Sequence, residues 1–136
     1  MPRAFETALA MGYAVDEQSD AIGIMPGDAN AEINWPQSFA NIARVIARGG
    51  AGARFAREQA RVWRALVAAL PENGRALVIS HGGMIEAGAI ACAPDADHRA
   101  WGDALGYCEG ARLSFENDEC MNVQVLRVEG TAISNQ

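Results

Sequence analysis

The chain has 136 residues, a formal net charge of −6 and a hydrophobic fraction of 50%. That length suits one domain with a buried core, and the hydrophobic content argues against a disordered chain. The acidic balance disfavours nucleic acid as a partner, and no apolar run approaches the roughly 18 residues that a membrane span needs. With no recognisable secretory signal, we expect a soluble cytoplasmic protein.

The first third of the chain predicts helices separated by irregular structure. Apolar residues at helical spacing predict a helix over Met1–Met11 that ends at Gly12. Residues 13–37 are expected to be irregular, with a possible short strand at Ala21–Met25. Ser38 is a suitable N-cap for a helix that runs to about Arg48.

The middle of the chain contains the clearest helix, over Ala53–Leu70, which ends at a Pro-Glu-Asn-Gly sequence. One face of it is apolar. Arginines recur on the opposite face, which we interpret as solvated rather than as a binding stripe. These are Arg54, Arg57, Arg61 and Arg64.

The last part predicts a strand, a helix and a hairpin. The apolar run Ala76–Ile79 is typical of a buried strand, and Met84–Cys92 of a helix. Ala111–Glu116 and Asn122–Val128 predict a hairpin at the edge of the sheet. The elements therefore indicate a single α/β domain over residues 1–129, followed by a C-terminal tail at 130–136.

The residues between the predicted strand and helix, Ser80-His81-Gly82-Gly83, carry the clearest functional signal. They place an imidazole at the carboxyl end of a strand, where α/β sheets bind ligands. Backbone N–H groups freed by the two glycines open a helix whose N-terminus favours an anion. This combination predicts phosphate chemistry.

Two segments together resemble the histidine phosphatases, the phosphoglycerate-mutase-like superfamily. P-R-A-F-E-T-A at residues 2–8 resembles the family's P-R-A-x-E-T-A helix start. V-I-S-H-G-G-M at residues 78–84 resembles its second histidine motif. The resemblance implies a three-layer α/β sandwich and an enzyme that hydrolyses or transfers a phosphate monoester through a phosphohistidine.

The resemblance also implies roles for particular residues. Arg3 would be the second phosphate-binding arginine, His81 the second pocket histidine, and Gly82 part of the phosphate-binding turn. Asp28 and Glu32 lie where the family places its proton-donating carboxylate, and both are also compatible with solvated loop residues. No metal or organic cofactor is implied, and the expected partner is phosphate or a phosphorylated small molecule.

One departure from the family pattern is large. The chain contains no R-H-G motif, which carries the nucleophilic histidine in the family, and its only other histidine is His98 in a polar stretch. We therefore expect an N-terminally truncated domain that lacks its first strand and is inactive alone. Loss of that strand would expose Leu77, Val78 and Ile79 and promote self-association.

Two alternatives to a phosphatase domain remain open. The chain could be a non-catalytic module that binds a phosphate ligand, or an α/β interaction domain in which Ser-His-Gly-Gly is only a tight turn.

For Glu86 we favour an exposed helix position over a substrate contact. The tryptophans are expected in the core or at its rim. The three cysteines, Cys92, Cys108 and Cys120, lack C-x-x-C spacing, so we expect packing thiols rather than a disulfide framework or a zinc ribbon.

Overall fold

The structure is a computed structural model, and it describes residues 19–128. Within that range the chain forms four α-helices, two 3₁₀ helices and one two-stranded antiparallel sheet. The α-helices are α1 (Gly27–Ile33), α2 (Phe39–Ala47), α3 (Ala51–Ala68) and α4 (Met84–Cys92), and the strands are β1 (Gly110–Glu116) and β2 (Glu119–Leu126). The predicted helix at Met1–Met11, with Arg3, and the tail at 130–136 lie outside the described residues.

Helix α1 lies in a segment for which the sequence predicted irregular structure. It begins after Pro26, whose ring suits the start of a helix, and it ends at Asn34, which has a left-handed φ of 51°. Ala29 and Ile33, four residues apart and therefore on one face, are both buried. Only this tertiary burial distinguishes α1 from a loop, because its sequence lacks a side-chain N-cap.

The two following helices confirm the sequence prediction. Ser38 caps α2, its hydroxyl accepting a hydrogen bond from the Asn41 N–H at 3.2 Å. Helix α3 begins two residues before the predicted start. Its N-terminal N–H groups donate to Glu32 of α1, from Gly52 to Oε1 at 2.9 Å and from Ala51 to Oε2 at 3.3 Å.

Helix α4 has the predicted bounds and packs closely on α3. An added Cβ at Gly88 would lie 2.6 Å from Cζ2 of Trp63, so only glycine allows the two helices this approach. Most of α4 is buried, including Met84, Ala87 and Ile90. These residues join α1, α2 and the start of α3 in one apolar core.

The predicted C-terminal hairpin is present, but its second strand begins at Glu119 rather than Asn122, and in the described range the hairpin is a separate sheet instead of the edge of a larger one. β1 pairs antiparallel with β2, with Leu113 opposite Val123 and Glu116 opposite Glu119. Asn117 and Asp118 both have positive φ, 52° and 70°, which is the requirement of a two-residue type I′ turn. The register shifts between Ser114 and Phe115, consistent with a bulge.

Arg127, just after β2, ties the hairpin to the preceding loop. Its Nη2 donates to the carbonyl oxygens of Trp101 and Asp103, each at 2.7 Å, and its Nη1 contacts Glu109 at 2.8 Å. The Gly106 N–H, followed by the Val128 N–H and Arg127, holds the pKa of Glu109 below its usual range.

Two predicted strands are wrong. At Ala21–Met25 the chain instead forms a 3₁₀ helix, Asp20–Ile22, whose first turn is capped by Ser19. Ala76–Ile79 belongs to no helix or strand, and Leu77 is 61% exposed. Apolar sequence alone does not make a strand, because the backbone also needs a hydrogen-bonded neighbour, and residues 19–128 provide none there.

The coarse fold class, mixed helix and strand, is confirmed. The only sheet in the described part of the chain is the β1–β2 hairpin. None of the helices described there is long and apolar enough to cross a membrane.

Candidate functional site

His81 lies directly before the turn that starts α4, as the sequence predicts. Its side chain is partly exposed, and its carbonyl oxygen accepts a hydrogen bond from the Ile85 N–H at 3.3 Å. Gly83 is the N-cap of α4 and has a φ of 86°, which disfavours any residue with a side chain. The preceding Ser80 hydroxyl donates to the carbonyl of Ile22 and so joins this turn to the first 3₁₀ helix.

Glu86 is the residue that sequence reasoning misplaced. It was expected on an exposed helix face, but it is 0% exposed. Its carboxylate accepts three hydrogen bonds, from the Gly83 N–H at 2.7 Å, Trp35 Nε1 at 2.8 Å and the Leu105 N–H at 3.1 Å. One side chain thereby joins the start of α4 to two loops that are distant in sequence.

A local signal for this arrangement exists in the sequence. Glu86 occupies the third position of α4, where a glutamate reaches back to the N-cap N–H in a capping box. Gly83 replaces the serine or threonine that usually announces the motif. The two remaining donors, Trp35 and Leu105, lie 51 and 19 residues away, so no local pattern could reveal them.

The buried Glu86 carboxylate leaves fewer backbone N–H groups for an external anion at this turn. Glu86 occupies the Gly83 N–H, one of the donors that the sequence had assigned to an external anion. The Ile85 N–H is also used, by the His81 carbonyl. The N–H groups of Gly82 and Met84 have no acceptor within residues 19–128. Gly82 is partly exposed and Met84 is 2% exposed, so a ligand at this turn would meet His81 and the Gly82 N–H before the Met84 N–H.

Trp35 covers the two glycines of the turn. A Cβ on Gly82 would lie 2.5 Å from Cε2 of the indole, and one on Gly83 would lie 3.3 Å from the Trp35 Cβ. The indole could not occupy this position beside any larger residue at 82. The Trp35 side chain remains 41% exposed, so it forms the rim of the turn.

The two candidate proton donors have different surroundings. Asp28 is exposed in the first turn of α1 and accepts only from its neighbour, the Ala29 N–H, at 2.8 Å. Glu32 caps α3, where a carboxylate is favoured by the helix dipole. No hydrogen bond joins either carboxylate to His81 in the described part of the chain. A stabilising role is evident only for Glu32.

His98 belongs to the packing of the loop after α4. Its Nε2 lies 2.9 Å from the Ala93 carbonyl oxygen, and its ring meets the Trp101 ring edge-on, with centroids 4.9 Å apart. Trp101 in turn packs edge-on against Phe39 at 5.3 Å. These contacts fix His98 away from the turn at His81. Arg3, the other predicted phosphate ligand, lies outside the described residues.

A cleft lies elsewhere in the described chain. It has a volume of about 470 Å³ and lies between the C-terminal end of α4 and the hairpin turn. Its lining includes Arg64, Cys92, Asp95, Asp118 and Cys120. Burial raises the pKa of Cys92 to about 11, and it also raises the pKa of Cys120. Both thiols are therefore poor nucleophiles at neutral pH.

No group of three or more His, Cys, Asp or Glu residues in positions 19–128 is arranged to hold a metal ion.

Comparison of the sequence with protein-family profiles and with curated proteins, and of the structure with solved structures, finds no significant match.

Proposed function

We propose that the turn at residues 81–84 binds the phosphoryl group of a phosphate monoester, as one half of a phosphoglycerate-mutase-like site. His81 and the Gly82 and Met84 N–H groups supply the donors, and the resemblance adds the planar guanidinium of Arg3 to them. The three-layer sandwich is the fold that this proposal entails. The other half of the site, with the nucleophilic histidine, would come from outside these 136 residues.

One observation carries the proposal. His81 directly precedes Gly82, and the Gly82 and Met84 N–H groups, which have no acceptor within residues 19–128, lie at the N-terminus of a nine-residue helix. Convergent N–H donors at a helix N-terminus are a common means of binding phosphate, and a protonated histidine beside them adds charge complementarity. The motifs at 2–8 and 78–84 support the same chemistry by resemblance.

A purely structural turn is the second candidate, and Glu86 favours it. Because its carboxylate binds the Gly83 N–H and is fully buried, the helix N-terminus already has an anion. On this hypothesis the Ser-His-Gly-Gly turn only provides the surface on which Trp35 packs and the N–H group that Glu86 binds. The two candidates differ in whether phosphate contacts the Gly82 and Met84 N–H groups.

Titration of the 136-residue chain with inorganic phosphate, followed by ¹H–¹⁵N NMR, separates them. We expect saturable shifts of the Gly82 and Met84 amide signals that disappear in His81→Ala. His98→Gln serves as the matched histidine control and should keep the shifts. Absence of shifts, or shifts that persist in His81→Ala, would establish the structural turn instead.

On this proposal the chain does not complete phosphoryl transfer. The covalent route requires a nucleophilic histidine in an R-H-G motif, and the chain has no such motif. The pure chain should therefore leave an aryl phosphate unhydrolysed. Turnover that is lost in His81→Ala would overturn this part of the proposal while leaving phosphate binding intact.

A further inference from the structure

We propose that Trp35 is a specificity-determining residue that selects phosphate esters with an aromatic leaving group. This inference rests on the proposed function, because it assigns the organic part of the ligand to the indole beside the phosphate-binding turn. Three observations on Trp35 support it: its contact with the glycines, its hydrogen bond, and its exposure.

The position of the indole is fixed on two sides. Its six-membered ring lies against Gly82 and its Cβ against Gly83, so the ring extends along the turn that follows His81. Its Nε1 donates to Glu86 Oε2 at 2.8 Å. Because Glu86 is itself fully buried and holds two backbone N–H groups as well, it cannot turn away from Trp35 without leaving those donors unsatisfied.

An anchored aromatic ring at the surface differs from an ordinary exposed apolar side chain. Most exposed side chains lose conformational freedom when they contact a ligand, and that loss reduces affinity. Trp35 is 41% exposed but already ordered, so a ligand can pack on it without this entropic cost. The Met25 Cε would lie 3.3 Å from a Cβ on Gly83, so the methionine side chain extends the apolar rim.

The chemistry of the rim identifies the class of ligand. A group attached to a phosphate that sits on the Gly82 and Met84 N–H groups would lie near an indole and the Met25 side chain. Aromatic groups pack on indole more favourably than alkyl groups of similar reach, because offset-stacked and edge-on arrangements add to the burial of apolar area. A phenyl ester therefore fits this rim better than a hydroxyalkyl or sugar ester.

Two non-hydrolysable probes test the inference in the wild-type chain. We expect phenylphosphonate to bind about threefold to tenfold more tightly than methylphosphonate, by isothermal titration calorimetry, which is the range expected for an aromatic pair. In ¹H–¹⁵N NMR, phenylphosphonate should shift the indole N–H signal of Trp35, whereas methylphosphonate should not. The indole signals of Trp63 and Trp101 serve as internal controls, and Trp35→Phe identifies the Trp35 signal by its absence.

The outcomes separate this inference from the function on which it rests. Equal affinities for the two probes, with the Trp35 signal unmoved, would overturn the role of Trp35 and leave phosphate binding standing. Failure of both probes to bind would overturn the proposed function and this inference together. Tyr107→Ala, which removes an aromatic ring that is 96% exposed in another loop, should leave the preference for phenylphosphonate unchanged.

Discussion

The two ends of helix α4 differ in what they offer a ligand. The N-terminal end has a partly exposed histidine, an anchored indole and backbone donors that no acceptor within residues 19–128 uses. The C-terminal end borders a cleft of about 470 Å³. This cleft is lined by two cysteines whose thiol pKa values are raised, and by carboxylates. The cleft and the candidate phosphate-binding turn thus lie at opposite ends of one nine-residue helix.

The candidate site therefore depends on hydrogen-bond donors at the turn rather than on the size of a cavity. A cleft becomes a binding site when a few polar groups converge in it, and in this protein the convergence occurs at the turn. At that turn a buried carboxylate organises the surroundings, whereas at the other end the Ala93 carbonyl oxygen contacts His98 Nε2 and the His98 ring packs on Trp101. The two ends should therefore respond differently to substitution.

The largest effect is expected for Glu86→Ala at the N-terminal end. The substitution leaves three N–H donors without their acceptor, and each buried unsatisfied donor costs about 1–3 kcal/mol. We expect the free energy of unfolding in urea to fall by about 3 kcal/mol or more. Glu58→Ala is the matched control, because Glu58 is exposed and pairs only with Arg61. If the free energy of unfolding falls no further in Glu86→Ala than in the control, Glu86 does not organise the N-terminal end of α4.

A smaller effect is expected for Gly82→Ala. The added methyl group would overlap the Trp35 ring, and overpacking of this kind costs about 1–3 kcal/mol. The tryptophan fluorescence should change together with stability, since the indole must move. Gly27→Ala provides the control, because nothing lies within 4 Å of its Cβ and alanine favours the helix. If both variants melt alike, the indole is not seated on Gly82.

The segment that leads into the turn should promote association of the chain. Leu77 is 61% exposed in an apolar run without strand partners in the described range. We expect oligomers by multi-angle light scattering that Leu77→Lys reduces, with little change in stability. Met121→Lys, at a residue that is 54% exposed on β2, should not reduce them. A monomeric, cooperatively melting wild-type chain would contradict this expectation.

The smallest structural effect is expected at the C-terminal end of α4, where the rate of thiol alkylation reports the burial of Cys92 without any substitution. At pH 8, three units below a pKa of about 11, about one Cys92 thiol in a thousand is ionised. Iodoacetamide should therefore modify the exposed Cys108 first and Cys92 last, with peptide mass spectrometry as the readout. The Cys92 rate should rise with each pH unit until the pKa is reached. Rapid modification of Cys92 at pH 8 would show that this end opens.

The elements that the sequence predicted correctly are those with local signals. The signals are Ser38 as an N-cap, the apolar period of α3, the bounds of α4 and the existence of the hairpin, and all of them act within a few residues. The missed helix α1 and the wrong strands have signals that depend on distant partners. Ala29 and Ile33 need a core to bury them, and Ala76–Ile79 needs a neighbouring strand.

For the candidate site, the sequence by itself determined where His81 and the glycine turn lie, because glycine conformation and helix start are local properties. Only the tertiary structure decided what surrounds them. It buried Glu86 and seated Trp35 on Gly82, through contacts that span up to 51 residues of chain. Hydrogen bonds of such separation follow from the packing of whole elements, which is why an apparent helix-surface carboxylate proved to be the centre of this end of the molecule.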